Sequence, residues 1–259
     1  MLRVATLASG SSGNCTVVSD GRTHLLIDAG ISARRICTGP RELGVAPGEV
    51  SAVLITHEHS DHICGLPVLC KQLPGLEIYT TEATARQICY RTAGLEERFR
   101  VFEPGDRFAL GGLVADSFAT SHDCACPVGY SVTDGVRKLT LCTDTGIVTR
   151  AVLEGVRGAH LLVCEFNYDP DMLRSGPYPP HLKERILGDR GHLSNELGGK
   201  LSAWAAGQGT ERIVLAHLSK ENNLPAVALA AAKRELAAVG ASAQLTAAPR
   251  DCGSGWLGV

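Results

Sequence analysis

The feature that most constrains this chain is a cluster of metal-binding side chains that directly follows an apolar stretch. The segment "VLITHEHSDHICGL" (53–66) runs from β-branched residues into His57, His59, Asp61 and His62. Its apolar start is typical of a strand buried on both faces. Because residues i and i+2 of an extended segment lie on the same side, His57 and His59 can bind one ion together. Asp61 and His62 follow on a turn and can reach a second ion, so the pattern predicts two metal positions.

Histidine spacing separates this motif from the metalloprotease motif H-E-x-x-H. That motif needs two histidines four residues apart on a helix, so that both face the same ion. Here Glu58 follows His57, but position 61 is an aspartate. A helix would also place His57 and His59 on different faces. The sequence therefore favours ligands at the end of a strand over a helical zinc-protease site.

Further candidate ligands follow other predicted strands, where a rigid scaffold can aim them. "FATSHD" places His122 after a strand, "LCTDTG" places Asp144, and "VLAHLS" places His217. "LLIDAG" gives Asp28 the same context. An isolated histidine at a strand end is more often a structural residue, but here the same pattern recurs along the chain. A carboxylate can bridge two cations while imidazoles complete each shell, so we expect Asp144 to be the bridge.

The order of predicted elements indicates one α/β domain over residues 1–259. Short β-rich runs alternate with helical patterns at 62–73, 81–94, 194–209 and 225–241. Thr81 and Ser194 are expected N-caps, and Pro225 is expected at a helix start. The Pro/Gly-rich stretch 175–185 is short and is predicted to be an ordered loop. No long repeat or interdomain linker is visible, and the length suits a single large domain.

Composition indicates where the protein is located and limits how it could bind a nucleic acid. The net charge is −2, so a nucleic acid would have to be held by a local basic patch or a metal, not by overall charge. The ten cysteines include no CxxC pair, which argues against a zinc ribbon or a thioredoxin-type site. The first residues lack a signal-peptide core, and no apolar stretch is long enough to span a membrane. These features predict a cytoplasmic protein without membrane contact.

Taken in order, these motifs resemble the metallo-β-lactamase-fold hydrolases across nearly the whole chain. The resemblance implies an α/β fold, the αββα four-layer sandwich, with a dinuclear site in a shallow groove at one edge. It implies that one metal is held by His57, His59 and His122, and the other by Asp61, His62 and His217. Asp144 would be shared between the two ions. Asp28 would orient the ligand loop from behind.

Within that superfamily the chain is similar to the YycJ/WalJ-type proteins. The matching segments are "LASGSSGNCTVV", "LLIDAGIS", "TDTG", "GHLSN" and "LAHLSKENN". The resemblance implies phosphodiester hydrolysis by a 5′-to-3′ exonuclease that acts on DNA, more so than on RNA, in a repair setting. Two positions depart from the group's pattern: Tyr168 stands where histidine is expected, and Cys126 where an acidic residue is common. Both leave the ligand set intact but bear on substrate choice.

The mechanism that we expect is attack on phosphorus by a hydroxide that bridges two divalent ions. Asp61 would bind one ion and steer or accept the proton. His192, in "RGHLSNE", would stand near the leaving oxygen, and Glu165 would orient it and keep it protonated. The structural alternatives are a helix-entry histidine for His192 and an ordinary salt bridge for Glu165. Zinc or manganese suits the predicted ligands, and iron is possible.

Other functions fit the sequence less well. The runner-up is a metal-dependent hydrolase of a small ester, thioester or cyclic phosphodiester. A di-iron oxidoreductase generally replaces the second histidine by a carboxylate, and here His59 stands. A metal-binding protein with a dead site would be expected to have lost ligands, and none is missing. The sequence leaves the metal, the strandedness of the substrate and the oligomeric state open.

Overall fold

Two mixed β-sheets form the frame of the computed structural model, which describes residues 1–259. The strands of the first sheet are β1 (Arg3–Ala8), β2 (Cys15–Ser19), β3 (His24–Ile27), β4 (Val50–Leu54), β5 (Glu77–Thr81), β6 (Phe99–Phe102) and β14 (Leu257–Gly258). Their order is β14-β1-β2-β3-β4-β5-β6. Strands β3 to β6 are parallel, so their carboxyl ends lie at one edge.

The second sheet has the same number of strands and also combines antiparallel and parallel pairs. It contains β7 (Arg107–Leu110), β8 (Leu113–Ala119), β9 (Val128–Thr133), β10 (Lys138–Cys142), β11 (Leu161–Glu165), β12 (Arg212–Ala216) and β13 (Gln244–Ala247). The order is β13-β12-β11-β10-β9-β8-β7. Strands β10 to β13 are parallel, which again brings carboxyl ends to one edge.

Nine α-helices connect the strands. Those in the first half of the chain are α1 (Ala33–Glu42), α2 (Ser60–Ile63), α3 (Leu66–Gln72) and α4 (Glu82–Arg91). Those in the second half are α5 (Arg150–Val156), α6 (Pro170–Ser175), α7 (Pro180–Leu187), α8 (Asn195–Gly207) and α9 (Pro225–Ala238). None of them has the length and apolarity needed to cross a bilayer.

Three apolar clusters separate the layers of the molecule. The central one joins the inward faces of both sheets and includes Leu25 and Ile27 of β3 together with Val163 of β11. Leu26 points the opposite way, as alternation along a strand requires, into a cluster with α1, α3 and α4. The third cluster joins the outer face of the second sheet to α5, α8 and α9, as at Leu201. Helices, two sheets and helices thus stack as the predicted αββα sandwich, which is confirmed.

Most predicted helix boundaries agree with the structure, and two predictions were wrong. Thr81 caps α4 and Ser194 caps α8 through their side chains, and α9 begins at Pro225. The helix predicted for 62–73 is divided into α2 and α3, because the Gly65 N–H donates to the Ala29 carbonyl at 2.9 Å and not to the carbonyl four residues back. The stretch 175–185 is not wholly loop, since α7 begins inside it.

Candidate metal centre

The candidate ligands lie where strands end at one edge of the sandwich. Asp28 directly follows β3, His57 comes shortly after β4, and Asp144 comes shortly after β10. Glu165 is the last residue of β11, and His217 directly follows β12. Parallel strands carry their carboxyl ends to a common edge, so five distant chain segments converge there.

The backbone is strained at three of these strand ends. Asp28, Asp144 and His217 are the only non-glycine residues with positive φ, at 62°, 57° and 57°. This left-handed region costs roughly 1–3 kcal/mol for a residue with a Cβ, and it persists only where the surroundings fix it. The chain turns sharply at each position and directs the side chain across the edge. Such strain clusters at functional sites, and here it marks three of the predicted residues.

A tight backbone approach holds the "HEHSDH" loop in place. Ala29 N–H donates to the His62 carbonyl at 2.7 Å, and Asn14 N–H donates to the Asp61 carbonyl at 2.8 Å. Gly30 lies so close that a Cβ would sit 1.6 Å from the Asp61 oxygen. Only glycine permits this contact, so the "LLIDAG" segment packs directly against the residues that follow β4.

His57, His59 and His122 form the first group of converging side chains, with ligand atoms within 4.8 Å of one another. His59 Nδ1 lies 3.0 Å from His57 Nε2 and 3.2 Å from His122 Nε2. Burial lowers the pKa of all three imidazoles, and for His57 the neighbouring histidines lower it further. The three rings are therefore neutral near pH 7, which is the form that binds a metal.

Asp61, His62 and His217 form the second group, whose ligand atoms also lie within 4.8 Å of one another. Asp61 Oδ2 is 3.5 Å from His62 Nε2 and 3.7 Å from His217 Nε2. Burial raises the pKa of the Asp61 carboxyl, but the two histidines outweigh it and hold that pKa well below its usual value. An ionised carboxylate thus faces two ring nitrogens, an arrangement that could hold a metal ion.

Asp144 lies between the two groups. Its Oδ2 is 3.5 Å from His62 Nε2, and its Oδ1 is 3.8 Å from His122 Nε2. Asp144 Oδ2 and His217 Nε2 are buried yet have no hydrogen-bond partner in the protein. Buried polar atoms are nearly always paired, so these two atoms are placed for a partner that the chain does not supply. Imidazole nitrogens and carboxylate oxygens gathered in this way fit divalent cations.

The histidines nearest the carboxylates carry raised pKa values. Burial lowers the pKa of His62, but Asp28, Asp144 and Asp61 outweigh burial and raise it well above the usual value. Burial likewise disfavours charge on His217, yet Asp144, Asp61 and Glu165 raise its pKa to about 10. These protons balance the buried negative charge, and a divalent cation replaces them when it binds.

Asp28 fixes the ring of His62 from behind. Asp28 Oδ2 accepts a hydrogen bond from His62 Nδ1 at 2.7 Å, and Asp28 Oδ1 accepts one from the Thr56 backbone at 2.8 Å. Asp28 is only 2% exposed, so water competes little for these contacts. The pair leaves His62 Nε2 directed at Asp61, and a carboxylate in this position strengthens an imidazole as a ligand.

Glu165 orients two histidines, not one. Its Oε1 is 2.8 Å from His192 Nδ1 and 2.9 Å from His217 Nδ1, while Oε2 accepts from the backbone N–H groups of Thr145 and Leu193. Burial raises the pKa of Glu165, but His192 and His217 outweigh burial and lower it strongly. The sequence predicted the His192 partner, whereas the contact with His217 was not foreseen.

Comparison with known proteins decides the family. A family model described as "Beta-lactamase superfamily domain" matches residues 23–218, which include every predicted metal ligand. Exodeoxyribonuclease WalJ of Streptococcus pneumoniae is 38% identical over 229 residues, 87% of this chain and 85% of that protein. Exodeoxyribonuclease YycJ of Bacillus anthracis is 38% identical over 88% of this chain and 86% of its own length. This chain belongs to the WalJ/YycJ family of the beta-lactamase superfamily.

Solved structures support the fold of this WalJ/YycJ family member. The metallo-beta-lactamase fold protein YhfI from Bacillus subtilis matches with a TM-score of 0.71 at 20% identity and covers 98% of this chain and 99% of its own. Zn²⁺-bound PqqB from Methylobacterium extorquens matches with a TM-score of 0.70 at 19% identity, over 99% of this chain and 100% of its own. At these identities the likeness shows the shared sandwich and no more.

A cavity of about 400 Å³ opens over the two groups in this WalJ/YycJ protein. His192 lines it together with members of both groups, and its side chain is 13% exposed. Arg185 of α7 lines the cavity. Arg91 at the end of α4 also lines it and was not foreseen. The cavity thus joins the candidate metal centre to two cationic side chains.

Sequence reasoning missed several residues that hold the site together. Asn14 Nδ2 lies 3.1 Å from His62 Nε2, and Thr56 Oγ1 lies 3.0 Å from His57 Nδ1. Glu58 Oε1 accepts from the Ala125 backbone at 2.8 Å, which ties the "HEHSDH" loop to the loop that carries His122. Their position in the recognised motifs was the available signal, because Thr56 and Glu58 adjoin His57 and Asn14 lies in the segment "LASGSSGNCTVV".

The two departures from the family pattern lie outside both groups. Tyr168 is 5% exposed and packs with Leu173 and Ile186 in a small apolar cluster. The carbonyl of Cys126 accepts a hydrogen bond from the Thr81 hydroxyl at 3.0 Å. Both residues therefore contribute to packing and loop position, and neither is among the groups of converging ligands.

Proposed function

We propose that this protein is a metal-dependent phosphodiesterase that degrades DNA from its 5′ end, as an exonuclease in DNA repair. The observation that carries the proposal is the 38% identity to Exodeoxyribonuclease WalJ over 87% of this chain. The converging ligands add support, because they lie at the edge where this fold gathers its strand ends. A cytoplasmic location and a single domain over residues 1–259 remain part of the proposal.

The ligand assignment follows the two groups. His57, His59 and His122 would hold one divalent ion, Asp61, His62 and His217 would hold the other, and Asp144 would bridge them. Zinc and manganese both suit imidazole and carboxylate ligands, and iron is also compatible. Bound ions would polarise the phosphoryl group and acidify the attacking water.

Asp61, His192 and Glu165 supply the proton chemistry in this proposal. The Asp61 side chain is 24% exposed and lines the cavity, so it can steer an attacking water and take up its proton. His192 also lines the cavity and would donate a proton to the leaving oxygen. Glu165 holds the His192 ring, with its Oε1 2.8 Å from His192 Nδ1. General acid catalysis of this kind contributes about 10²–10⁴-fold to a rate.

Electrostatics limit how the substrate is held. The chain has a net charge of −2, and the only lysine or arginine side chains that line the cavity are Arg91 and Arg185. Arg91 Nη1 donates to the Glu58 carbonyl at 2.9 Å, which fixes it beside the "HEHSDH" loop. We therefore expect weak DNA binding, because few phosphate contacts are available. We also expect added salt to weaken it strongly, because phosphate contacts release counterions and this binding has little affinity to lose. Tight binding that does not vary with salt would contradict this expectation.

The test is an exonuclease assay on protein reconstituted separately with zinc and with manganese. End-labelled single- and double-stranded DNA and RNA are incubated with wild type and with Asp144→Asn. Mononucleotides released from the 5′ end of DNA by wild type alone support the proposal. Hydrolysis of small esters or thioesters without DNA degradation would favour the alternative, to which relatives named hydroxyacylglutathione hydrolase point over 44% of the chain.

A further inference from the structure

The cavity over the candidate metal centre has two chemically different walls. One wall consists of the candidate ligands, His192 and polar side chains, while all three apolar lining residues come from the segment that contains α7. These residues are Tyr178, Leu182 and Ile186. A cavity of about 400 Å³ lies near the lower end of the usual range for small-ligand sites, roughly 300–1,000 Å³. Its size fits one nucleotide better than a length of duplex.

The apolar wall is built on a platform of its own. Tyr178 and Leu182 pack against a small cluster of Tyr168, Leu173 and Ile186, separate from the three sandwich cores. Tyr178 is half-buried. It packs against this cluster and also lines the cavity. An aromatic ring held in this way can stack on any base, because every base has a π-face.

The positively charged side chain of Arg185 lies beside this apolar wall. Leu182, Arg185 and Ile186 are spaced three and four residues apart, so they share one face of α7. Arg185 Nη2 donates to Asp123 Oδ1 at 3.0 Å, and Asp123 Oδ1 lies 3.5 Å from His122 Nε2. The guanidinium is therefore tethered between the apolar wall and the metal ligands. An aromatic ring next to an arginine matches a base next to its phosphate.

We infer that Tyr178 and Leu182 form the binding site for the base of the 5′-terminal nucleotide, with Arg185 on its phosphate side. The inference rests on the proposed exonuclease function and adds the subsite that holds the nucleotide to be released. Tyr178 stacks on the base, and Leu182 completes the apolar surface. Recognition through stacking does not depend on base identity, which suits an enzyme that removes successive nucleotides of any sequence.

The test removes the terminal base from the DNA and the aromatic ring of Tyr178 from the protein, each in a separate arm. Two oligonucleotides are compared, one with a normal 5′-terminal nucleotide and one with an abasic tetrahydrofuran residue at that position. The first cleavage is timed under single-turnover conditions for wild type, Tyr178→Ala, Tyr178→Leu and Tyr178→Phe. Tyr178→Leu keeps an apolar side chain in the cluster, so it separates the loss of stacking from the loss of packing. Tyr90→Ala is the matched control, because Tyr90 is 90% exposed and does not line the cavity.

We expect wild type and Tyr178→Phe to prefer the normal end by about 5- to 100-fold, the range of base–aromatic stacking. Tyr178→Ala and Tyr178→Leu should lose that preference, with little change on the abasic end. An equal loss on both ends would make Tyr178 a packing residue only, and no loss on either end would exclude contact. Either result overturns the inference while leaving the exonuclease proposal intact.

A binding measurement separates this inference from the proposed function. An oligonucleotide with 2-aminopurine at its 5′ end is added to His192→Gln, which we expect to keep its metals and to cleave slowly, with and without Tyr178→Leu. Stacking should quench the fluorescence only where Tyr178 is present. If the fluorescence is quenched but wild type degrades no DNA, the exonuclease proposal is wrong and the base site is retained. Equal fluorescence in both variants would remove the base site.

Discussion

The two groups of candidate ligands differ in what stands behind their rings. In the His57, His59 and His122 group, two of the outer ring nitrogens contact neutral oxygens. His57 Nδ1 is 3.0 Å from the Thr56 hydroxyl, and His122 Nδ1 is 2.9 Å from the Gly191 carbonyl. His59 is the most accessible member, with a side chain 27% exposed, and its Nε2 is 4.0 Å from the Asp123 carboxylate. No carboxylate forms a hydrogen bond with an outer ring nitrogen of this group.

Carboxylates stand behind the second group. Asp28 contacts His62 Nδ1 at 2.7 Å and Glu165 contacts His217 Nδ1 at 2.9 Å, while Asp61 itself adds a negative charge. A carboxylate behind an imidazole raises its basicity and its affinity for a metal. We therefore expect the position beside Asp61 to hold its cation more tightly than the position beside His59. The comparison teaches that the expected difference in metal affinity comes from the residues behind the ligands and not from the number of ligands.

The largest effect is expected for Asp144, the residue that we propose both positions share. Asp144→Asn keeps the shape of the side chain but removes its charge, so both ions should be weakened and nuclease activity should fall to background. Metal content after dialysis and the exonuclease assay measure the two effects. Asp171→Asn is the matched control, because the Asp171 side chain is 95% exposed on α6. Two ions retained by Asp144→Asn would show that Asp144 is not the bridge.

His192 separates proton delivery from metal binding. His192→Gln should lower the single-turnover rate by about 10²–10⁴-fold with metal content unchanged, because the ring acts on the leaving oxygen. Glu165→Gln should lower both rate and metal affinity, since Glu165 also holds His217. Rates and bound metal are measured on the same preparations. Unchanged turnover in His192→Gln with both ions bound would end the proposed acid role.

Asp28 tests the difference between the two positions directly. Asp28→Asn should weaken the ion beside Asp61 by about 10- to 100-fold, the usual cost of losing a carboxylate behind a metal-binding histidine. The ion beside His59 should be affected much less, because Asp28 reaches that group only through the Thr56 hydroxyl, which lies 3.0 Å from His57 Nδ1. Titration against a chromophoric chelator resolves the two affinities. If both fell equally, the asymmetry between the groups would not exist.

Local patterns explain why much of the site could be predicted from sequence. His57, Asp144 and His217 each follow an apolar strand, and parallel strands must bring such residues to one edge. The N-caps at Thr81 and Ser194 were equally local, because a hydroxyl before a helical pattern is enough to predict them. Features that depend on one segment and on the general rules of strand packing can therefore be predicted from the amino-acid sequence.

Contacts between distant segments explain what the sequence did not reveal. The second contact of Glu165, to His217, depends on how β11 and β12 pair. Helix α7 was hidden by the prolines at its start, although Pro180 occupies a first-turn position that tolerates proline. The break between α2 and α3 follows from the Gly65 N–H, which donates to the Ala29 carbonyl. The Glu165 and Gly65 contacts therefore depend on distant segments, whereas Pro180 was a local signal for the start of α7.

Metal removal should give the smallest effect, a measurable loss of thermal stability. At a free metal concentration 100 times Kd, binding stabilises the folded state by about 2.7 kcal/mol per site. For a chain near this size each kcal/mol corresponds to roughly 2–4 °C in Tm, so stripping one ion should lower Tm by about 5–10 °C. The loss has a structural cause, since Asp28, Asp144 and Glu165 are buried and, without a cation, are balanced only by protons on His62 and His217. Scanning calorimetry with graded chelator should show two steps, the weaker ion leaving first. Asp144→Asn treated in the same way should show little further change, and a single step in wild type would mean that the two positions bind with equal affinity.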